Sequence, residues 1–456
     1  MIHFVGIGGI GMSALARLLL ARGIEVSGSD VRRTALIERL EREGARVTIG
    51  HSPDNVEGAE RLVVSSAIDS ENPEVRRARE RRLPIVRRGD LLAELATGKN
   101  TIAVAGTHGK TTTTAMIGAV LEAGDLDPTI ALGGETVGTQ TNARAGAGPW
   151  FLTESDESDG SFLTLDPLIG VVTNIEDDHV GSDEEFSRLV AAFDRFAAKI
   201  SPRGMAVIGI DEPNAAALAQ RFGPRHRATY GLHESAHVGA RDVAFADWGT
   251  TAEITLDGKP YGRLALRVPG EINLINALPA VAIGIDLEIP FGTIAAALGE
   301  FKGVHRRFDI LAQGREMTVV DDYAHHPTAI RETIATARRY HAGPVVVAFQ
   351  PHRFTRTKYL CEAFVQSLRG ADAVVLAPVY AASEPPIDGV SERSIGAPLA
   401  ALGVPVEYVA SASELPHHLR ERVPAGALVL MLGAGDISAA AHRLADSLGA
   451  PLGAAS

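Results

Sequence analysis

The chain begins with Met1-Ile2-His3-Phe4-Val5-Gly6-Ile7-Gly8-Gly9-Ile10-Gly11-Met12. Its apolar start, Ile2–Val5, predicts a buried strand, and the apolar periodicity over Ser13–Leu20 predicts a helix. The glycines between them satisfy G-x-G-x-x-G, a turn whose backbone approaches a pyrophosphate at a helix N-terminus. Asp30 stands 19 positions after Gly11, at the end of the predicted strand Glu25–Ser29. By itself the segment predicts a dinucleotide-binding fold, with a tight turn that binds no ligand as the alternative.

The predicted strand Thr101–Ala105 leads into a second glycine-rich turn, Gly106-Thr107-His108-Gly109-Lys110-Thr111. The turn is a shortened P-loop, because Val104 stands where the full G-x-x-x-x-G-K-[ST] pattern has its first glycine. The chemistry survives this shortening, since backbone N–H groups still contact phosphates, Lys110 reaches the β- and γ-phosphates, and the Thr111 hydroxyl ligates Mg²⁺. A chance Gly-Lys-Thr is the alternative. Together the two turns predict a protein that binds two different phosphorylated molecules on separate domains.

The composition is typical of a globular intracellular protein. A length of 456 residues predicts about three domains at roughly 150 residues each. Hydrophobic residues make up 45% and charged residues 22%, which excludes a mainly disordered chain. The formal net charge of −12 argues against binding to nucleic acid or to an anionic membrane through bulk charge. Because the sequence has no bilayer-length apolar run, no signal peptide and only one cysteine, Cys361, we expect a soluble protein of the cytoplasm.

Short apolar runs alternate with longer helical patterns, which predicts α/β units built on parallel sheets. The first unit ends near Gly98, the second opens with the strand before the P-loop, and the third starts near Arg307. In the second unit, Ala252–Leu256 and Leu264–Val268 alternate with period 2 around a short turn. This alternation predicts a small antiparallel insert.

The segment Glu74–Arg88 is rich in arginine. Its arginines are Arg76, Arg77, Arg79, Arg81, Arg82, Arg87 and Arg88. A charge run of this kind is more often a solvated helix face than a binding patch, and we interpret it in that way.

Polar motifs follow four other predicted strands. The strands Trp150–Thr153, Ile169–Thr173, Met317–Val320 and Val345–Phe349 lead into Glu154–Gly160, Asn174–His179, Asp321–Pro327 and Gln350–Thr357, in that order. Open α/β sheets bind ligands at the carboxyl ends of their strands, so all four motifs are candidate site segments. Glu154 is a candidate Mg²⁺ ligand and His179 a candidate ligand of a second ion, with a solvated loop and a surface histidine as the alternatives. Arg353 and Arg356 are placed to hold one carboxylate.

In this order and spacing the motifs resemble those of the Mur ligases, a family of ATP-dependent ligases of peptidoglycan biosynthesis. The segments that carry the resemblance are Gly6–Met12, Gly106–Thr112, Glu154–Gly160, Asn174–His179, Arg306–Phe308, Asp321–Thr328, Phe349–Thr357 and Gly433–Asp436. The resemblance implies an α/β fold of three domains. These are an N-terminal Rossmann-like domain for a UDP-sugar at 1–98, a central P-loop ATPase-like domain at 99–305, and a C-terminal Rossmann-like domain for an amino acid at 306–456.

Carried over by position, the resemblance implies a role for each motif. The UDP-sugar would contact Gly8, Gly9, Ile10, Gly11, Met12, Asp30, Ser65 and Ser66. ATP would contact Gly106, Thr107, His108, Gly109, Lys110, Thr111, Thr112, Asn273, Asn276 and Asp322. Thr111 and Glu154 would ligate one Mg²⁺ and His179 a second, with Mn²⁺ as the alternative ion. The amino acid would contact Tyr323, His325, Arg353 and Arg356, and the catalytic residues would be Lys110, His325, Arg353 and Arg356. The motif that contacts adenine in the family falls on Gly270-Glu271-Ile272-Asn273 here. It departs from the family pattern, because Ile272 stands where a histidine is usual.

Within the family, the motifs resemble most the branch that joins L-alanine to the lactyl carboxylate of UDP-N-acetylmuramate. The implied reaction uses ATP, passes through an acyl phosphate, and gives UDP-N-acetylmuramoyl-L-alanine, ADP and phosphate. The expected partners are these small molecules, without nucleic acid or membrane, and the expected assembly is a monomer or a homodimer.

Three alternatives stay open at this point. The recycling branch of the family attaches a preformed tripeptide to the same UDP-sugar, but it usually has a tyrosine where this chain has Ser158-Asp159-Gly160-Ser161-Phe162. An NAD-dependent oxidoreductase would use Gly6–Gly11 and Asp30 but has little use for a P-loop. A nucleotide-binding sensor would bind ATP and release no phosphate.

Overall fold

The computed structural model describes residues 1–157, 160–176, 183–222, 226–382 and 384–449. Within these ranges the chain forms α/β layers around three sheets. The contacts divide the chain into two compact units. One comprises Met1–Val243, Ala252–Ala265 and Leu274–Lys302, and the other comprises Ala244–Thr251, Leu266–Asn273 and the chain from Gly303 onward.

The first sheet is entirely parallel. Its strands are β1 (Ile2–Val5), β2 (Val26–Asp30), β3 (Arg46–Ile49), β4 (Arg61–Val64) and β5 (Ile85–Arg87). Its helices are α1 (Ile10–Ala21), α2 (Ala35–Arg42), α3 (Pro73–Glu80) and α4 (Arg88–Ala96). The strand order is β3-β2-β1-β4-β5, with parallel pairing throughout. The order reverses between β1 and β4, which opens a crevice at their carboxyl ends, as in Rossmann-like sheets.

Helix α1 begins three residues before the predicted Ser13, and this corrects the sequence-based boundary. Gly9 is the extended N-cap residue, and the Ser13 N–H donates to its carbonyl at 2.8 Å. The last glycine of the turn, Gly11, therefore lies inside the first turn of the helix. Glycine disfavours helices by only about 1 kcal/mol, which the buried apolar face of α1 outweighs.

The second sheet is mixed. Its strands are β6 (Asn100–Ala105), β7 (Thr129–Ala131), β8 (Ala143–Arg144), β9 (Trp150–Glu154), β10 (Ile169–Val172), β11 (Met205–Gly209), β12 (Arg227–Gly231), β13 (Val238–Ala246), β14 (Gly249–Leu256) and β15 (Lys259–Leu266). Its helices are α5 (Lys110–Ala123), α6 (Asp183–Lys199), α7 (Pro213–Phe222), α8 (Glu271–Asp286) and α9 (Phe291–Glu300). The strand order is β15-β14-β13-β12-β11-β10-β6-β9-β7-β8, which places the P-loop strand β6 near its middle.

The predicted antiparallel insert is a continuation of this sheet, because β13 pairs in parallel with β12 and joins the β14–β15 hairpin to it. Asp257 and Gly258 form the turn, with φ of 48° and 73°. Positive φ at both turn residues matches the twist of a two-residue hairpin, so β14 and β15 pair directly from the turn. Strand β15 accordingly begins at Lys259, not at the predicted Leu264.

The third sheet has the strand order β16-β17-β21-β18-β19-β20. Here the strands are β16 (Asp309–Gln313), β17 (Met317–Asp322), β18 (Val345–Phe349), β19 (Ala373–Leu376), β20 (Val406–Tyr408) and β21 (Ala427–Leu432). The helices are α10 (Pro327–Tyr340), α11 (Phe354–Tyr359), α12 (Cys361–Leu368), α13 (Glu392–Ala401), α14 (Leu415–Arg422) and α15 (Ile437–Ser447). Only β16 pairs in antiparallel fashion among the pairs resolved in this sheet. Short 3-10 turns cover Pro53–Val56, Ser161–Thr164 and Ala412–Glu414.

The predicted α/β fold class is confirmed by these sheets, whereas the boundaries 1–98, 99–305 and 306–456 stay a prediction. One placement is corrected: Asp321 and Asp322 are the last residues of β17 and do not follow the strand. Both carboxylates are buried and hydrogen-bonded, to Ser438 and to backbone N–H groups respectively, which lets the strand continue through them. No helix in the described ranges is long and apolar enough to cross a membrane.

We expect Gly28→Ala to lower the thermal unfolding midpoint. A Cβ on Gly28 would lie 2.6 Å from Ile7 Cδ1 and 2.8 Å from the Phe4 carbonyl oxygen, and overpacking of this kind costs about 1–3 kcal/mol. The matched control is Gly292→Ala in α9, where a Cβ meets nothing within 4 Å and alanine favours the helix. Scanning calorimetry of both variants is the measurement, and an unchanged midpoint for Gly28→Ala would contradict the packing argument.

Candidate active site

The P-loop runs from the end of β6 to the start of α5, as predicted. Gly106 has a φ of 138° and Gly109 a φ of 79°. A Cβ on Gly106 would collide with Thr173 Oγ1, and one on Gly109 would collide with Asn276 Oδ1. Both positions therefore require glycine, and the loop can turn within a few residues and present the N-terminus of α5.

Lys110, the first residue of α5, makes a buried ion pair. Its Nζ donates to Glu157 Oε2 at 2.7 Å and to the Gly106 carbonyl at 2.5 Å. Burial alone would lower the pKa of Lys110, but the carboxylates of Glu157 and Asp156 raise it overall. Burial raises the pKa of Glu157 to about 7, although Lys110 acts in the opposite direction. The Lys110 ammonium group thus stays charged. A phosphate oxygen of a nucleotide can replace the Glu157 carboxylate beside it.

Thr111 and Glu154, the predicted metal ligands, are in contact. The Thr111 hydroxyl donates to Glu154 Oε2 at 2.6 Å, and Glu154 ends β9, the strand beside β6. The Cα of Gly133 abuts the same carboxylate, where no Cβ would fit. Hydroxyl and carboxylate oxygens suit Mg²⁺, which takes one or two carboxylates and completes its coordination with phosphates and water. The pair therefore fits one Mg²⁺.

The second predicted ion site lies outside the described residues, because it rests on His179 and the acids before it. In the described part of the chain, no group of three or more His, Cys, Asp and Glu side chains is arranged to hold a metal ion. The assignment of His179 accordingly stays a prediction.

The other P-loop residues form hydrogen bonds with the segment that follows β10, the strand next to β6. The His108 N–H donates to Asn174 Oδ1 at 2.8 Å, and the Thr107 hydroxyl donates to the Glu176 carbonyl at 3.2 Å. Thr107 and Thr112 are buried. These contacts, together with the hydrogen bond from the Thr107 N–H to the Asn174 carbonyl, fix the shape of the loop, and contact of Thr107, His108 and Thr112 with ATP stays a prediction.

Asn273 and Asn276, the two asparagines assigned to the adenine side, both lie on α8, but their side chains make different contacts. Asn276 is buried, accepts a hydrogen bond from Thr113 Oγ1 at 3.4 Å and packs against Gly109 of the P-loop. Asn273 is also buried, but its Nδ2 donates to the Pro269 carbonyl at 2.7 Å. Asn276 is thus placed beside the nucleotide loop, whereas contact between Asn273 and ATP stays a prediction.

The first glycine turn is closed by Asp30. The Gly8 N–H donates to Asp30 Oδ2 at 2.9 Å, so this acid supports the turn. Met12 is buried in the core, and only its backbone is available to a ligand. Ser65, after β4, accepts from the Ala67 N–H at 3.3 Å, and Ser66 is exposed next to it. The predicted UDP-sugar residues therefore gather at the carboxyl edge of the first sheet.

Sequence reasoning missed Asn142, which joins α1 to the segment beside Glu154. Its Nδ2 donates to the Ile10 carbonyl at 2.6 Å and to Ser13 Oγ at 2.8 Å, and its Oδ1 accepts from Arg17 at 2.6 Å. Asn142 is fully buried. No periodicity or motif marks this residue, because its partners lie more than 120 positions away.

The predicted amino-acid residues cluster around His352. The His325 and His352 rings have centroids 5.8 Å apart, and Tyr380 stacks on His352 at 5.6 Å. Burial, Arg356 and Arg353 lower the pKa of His352 to about 4. His352 is therefore neutral near pH 7. Tyr380 was not predicted.

Tyr323 and Asp322 lie at the end of β17. The Tyr323 ring lies under the guanidinium groups of Arg306 and Arg307, whose Cζ atoms are 4.7 Å and 5.1 Å from its centroid. Asp322 accepts from the Phe308 and Ala324 N–H groups at 2.9 and 2.8 Å, and burial raises the pKa of Asp322 to about 6. Asp322 thus has a structural role in its own domain, and its contact with ATP stays a prediction.

These sheets and loops define a nucleotide-binding α/β protein with several ligand-binding edges, and comparison with known proteins narrows this class. Residues 1–100 match the description "Mur ligase family, catalytic domain". Residues 104–284 match "Mur ligase middle domain", and residues 306–435 match "Mur ligase, glutamate ligase domain". The chain therefore belongs to the Mur ligase family.

Individual relatives match over nearly the whole chain. The chain is 44% identical to a UDP-N-acetylmuramate–L-alanine ligase of Syntrophotalea carbinolica, with 98% of each chain covered. It is 45% identical to the protein of that name from Xanthomonas campestris pv. campestris, over 99% of this chain and 96% of the other. The crystal structure of a UDP-N-acetylmuramate–alanine ligase from Thermotoga maritima matches with a TM-score of 0.86 at 32% identity, over 98% and 99% of the two chains. A murein peptide ligase from Psychrobacter arcticus, 21% identical with a TM-score of 0.73, shares the fold.

We expect Glu154→Gln to weaken metal binding more than UDP binding. An amide is a poorer Mg²⁺ ligand than a carboxylate, and even losing a group that only orients a metal ligand costs roughly tenfold or more in affinity. The measurement is the Mg²⁺ concentration that half-saturates ATP binding, with UDP affinity from calorimetry on the same sample. Glu234→Gln at an exposed position is the control. Lost UDP affinity with an unchanged Mg²⁺ requirement would place Glu154 in another role.

Proposed function

We propose that the protein joins L-alanine to the lactyl carboxylate of UDP-N-acetylmuramate with consumption of ATP. The observation that carries this proposal is the full-length match, at 44% identity and 98% coverage of both chains, to a relative named for this activity. Membership of the Mur ligase family contradicts the alternative of an NAD-dependent oxidoreductase. The recycling branch is disfavoured, because the peptide ligase of UDP-N-acetylmuramate from Neisseria meningitides is 26% identical and matches 67% of this chain, far below the match to the alanine ligase.

The reaction has two steps. The lactyl carboxylate attacks the γ-phosphorus of ATP, which forms an acyl phosphate and releases ADP. The amine of L-alanine then attacks the carbonyl carbon, the amide bond forms, and phosphate leaves. A free carboxylate is a poor electrophile at neutral pH, so the phosphoryl group supplies the leaving group that amide formation needs.

In the first step the chain binds phosphates and positions them. The N–H groups at the start of α5 and the Lys110 ammonium lie together, where the negative charge of a triphosphate needs compensation. Bound at Thr111 and Glu154, Mg²⁺ would further offset the charge that builds up on the transferred phosphoryl group. The second metal at His179 and the choice between Mg²⁺ and Mn²⁺ belong to the same proposal.

In the second step the chain orients the amino acid. Arg353 is the N-cap residue of α11 and Arg356 lies in its first turn, and the positive charges of both lower the pKa of His352. A free α-carboxylate needs such a charged donor pair, because its amine must be held in a fixed direction. His325 and Tyr323 lie at the same strand end and complete the proposed amino-acid site.

The proposal is tested by phosphate release from ATP in the presence of Mg²⁺, UDP-N-acetylmuramate and each of the twenty amino acids in turn. We expect release with L-alanine, together with a product whose mass is that of UDP-N-acetylmuramoyl-L-alanine. Turnover with a tripeptide but not with L-alanine would favour the recycling branch. Nucleotide binding without phosphate release under every condition would favour a sensor. Sedimentation in the same buffer distinguishes the expected monomer from the homodimer, and fractionation of cells tests the cytoplasmic location.

We expect Lys110→Ala to lower phosphate release at least roughly a hundredfold, because loss of one fixed donor to a charged transition state typically costs this much. The fold should persist although Glu157 loses its partner, because burial already favours the neutral form of this carboxyl group and protonation avoids an unpaired buried charge. The measurement is single-turnover phosphate release, with circular dichroism as the folding check and the exposed Lys259→Ala as the control. Activity within tenfold of the wild type in a folded variant would refute this role.

We expect Arg353→Ala and Arg356→Ala each to raise the KM for L-alanine about ten- to a hundredfold, as the loss of one charge-assisted partner predicts. The KM values for ATP and UDP-N-acetylmuramate should stay near those of the wild type. Arg369→Ala, an exposed arginine of the same domain, is the matched control. If these arginines only stabilise the third sheet and its helices, the variants will lose thermal stability or weaken all three substrates alike, and the carboxylate assignment is then wrong.

A further inference from the structure

Arg88 differs from the other arginines of its segment in where the fold places it. Arg76, Arg77 and Arg79 lie along α3, whereas Arg88 follows directly after β5 as the first residue of α4. Strands β1, β4 and β5 are parallel neighbours, so their carboxyl ends share one edge of the sheet. The glycine turn after β1 lies at that edge. Arg88 therefore lies at the same edge of the sheet as the proposed UDP-sugar residues.

The Arg88 side chain lies against the glycine turn. Its Nη1 is 3.2 Å, and its Cδ 3.3 Å, from the position that a Cβ on Gly11 would occupy. Arg88 is half-buried, whereas Arg87 next to it is exposed. The missing side chain of Gly11 thus provides the space through which the guanidinium group approaches the first turn of α1.

Two side chains of the turn Ser161–Thr164 form hydrogen bonds with the start of α4. Arg88 Nη2 donates to Ser161 Oγ at 3.3 Å, and the Thr164 hydroxyl donates to the Gly89 carbonyl at 3.3 Å. A Cβ on Gly89 would lie 2.6 Å from Ser161 Cβ, so the helix start packs directly against this turn. Such packing fixes the guanidinium group before a ligand arrives, which lowers the entropic cost of binding.

A small cavity joins this guanidinium group to the proposed metal site. Its volume is about 30 Å³, and Gly11, Arg88, Gly133 and Glu154 are among the residues that line it. That volume exceeds the roughly 10–15 Å³ that one water-sized group needs, so an oxygen atom of an anionic group fits there. Arg88 also stands where its charge offsets repulsion between a diphosphate and the Glu154 carboxylate.

We propose that Arg88 is a phosphate-binding residue whose guanidinium group donates to a diphosphate oxygen of the bound UDP compound, beside the Gly8–Met12 turn. For the identity of this ligand the inference rests on the proposed function. The planar guanidinium group suits the role, because its paired donors match the spacing of phosphate oxygens better than the point charge of lysine does. The other anionic group of the same ligand, the lactyl carboxylate, is absent from UDP, and the experiment uses this difference.

Calorimetry with UDP and UMP tests the inference on the full-length protein. We expect Arg88→Ala to weaken UDP binding about ten- to a hundredfold, as loss of a charge-assisted partner predicts, and to weaken UMP binding less. Arg88→Lys should restore part of the lost affinity, which shows that the variant site is folded. Arg87→Ala removes the same charge at the neighbouring exposed position and should bind UDP like the wild type. Ser161→Ala should weaken UDP binding less than Arg88→Ala does, because it removes a contact that positions Arg88 and keeps the guanidinium group itself.

Kinetics separate failure of this inference from failure of the proposed function. If the wild type ligates L-alanine and Arg88→Ala keeps its UDP affinity, the inference is wrong and the function stands. If Arg88→Ala weakens the binding of UDP-N-acetylmuramate but not of UDP, the inference is also wrong, and Arg88 then contacts the lactyl carboxylate. If UDP binding depends on Arg88 but no amino acid is ligated, the phosphate contact stands and the function fails. Equal loss of UDP and ATP affinity in Arg88→Ala would mean that the residue only stabilises the fold.

Discussion

The close approach of the backbone to its neighbours at Gly106 and Gly109 is the constraint on which the central site depends. Both residues have positive φ, and a Cβ on either would overlap a neighbouring side chain. The chain can therefore pass from β6 to α5 within a few residues, and Lys110 becomes the first residue of the helix. Thr111 then lies beside Glu154, on the adjacent strand. A longer or bulkier turn would separate the ammonium group, the hydroxyl and the carboxylate that phosphoryl transfer needs together.

In both units a charged group of the candidate site lies beside a side chain whose burial shifts its pKa towards the neutral form. Burial raises the pKa of Glu157 to about 7, so the ionised form of the partner of Lys110 is disfavoured where it stands. A phosphate can replace such a carboxylate at smaller cost than one stabilised by water. In the other unit, burial and two arginines lower the pKa of His352 to about 4, so this ring adds no charge of its own. The binding of a carboxylate by Arg353 and Arg356 stays a prediction.

Local patterns were sufficient for several strands of the first and third sheets, although β16, the first strand of the third sheet along the chain, was not predicted. The runs Ile2–Val5 and Val345–Phe349 are strands with the predicted bounds, because an apolar run between glycines or polar residues has few other ways to be buried. Asp322 was placed outside its strand, since the backbone N–H groups that satisfy its carboxylate are a tertiary feature. Asn142 and Arg88 were missed or dismissed for the same reason. Their partners are more than 70 positions away, and a single sequence has no signal for such contacts.

The first glycine motif by itself predicted a dinucleotide-binding fold, but the contacts of Asp30 give this acid a different role. In dinucleotide-binding folds the acid after the second strand binds the ribose hydroxyls. Here one oxygen of this carboxylate accepts from the Gly8 N–H at 2.9 Å and the other from the Arg32 N–H at 3.3 Å. The acid supports the turn. The N–H groups of Gly6, Ile7, Gly8 and Gly9 all donate within the protein, so the donors that this turn leaves for a ligand are those at the start of α1. A helix start of this kind suits a phosphate group and does not by itself identify the rest of the ligand. What distinguishes a UDP compound from a dinucleotide must come from residues outside the motif, at the ends of β4 and β5.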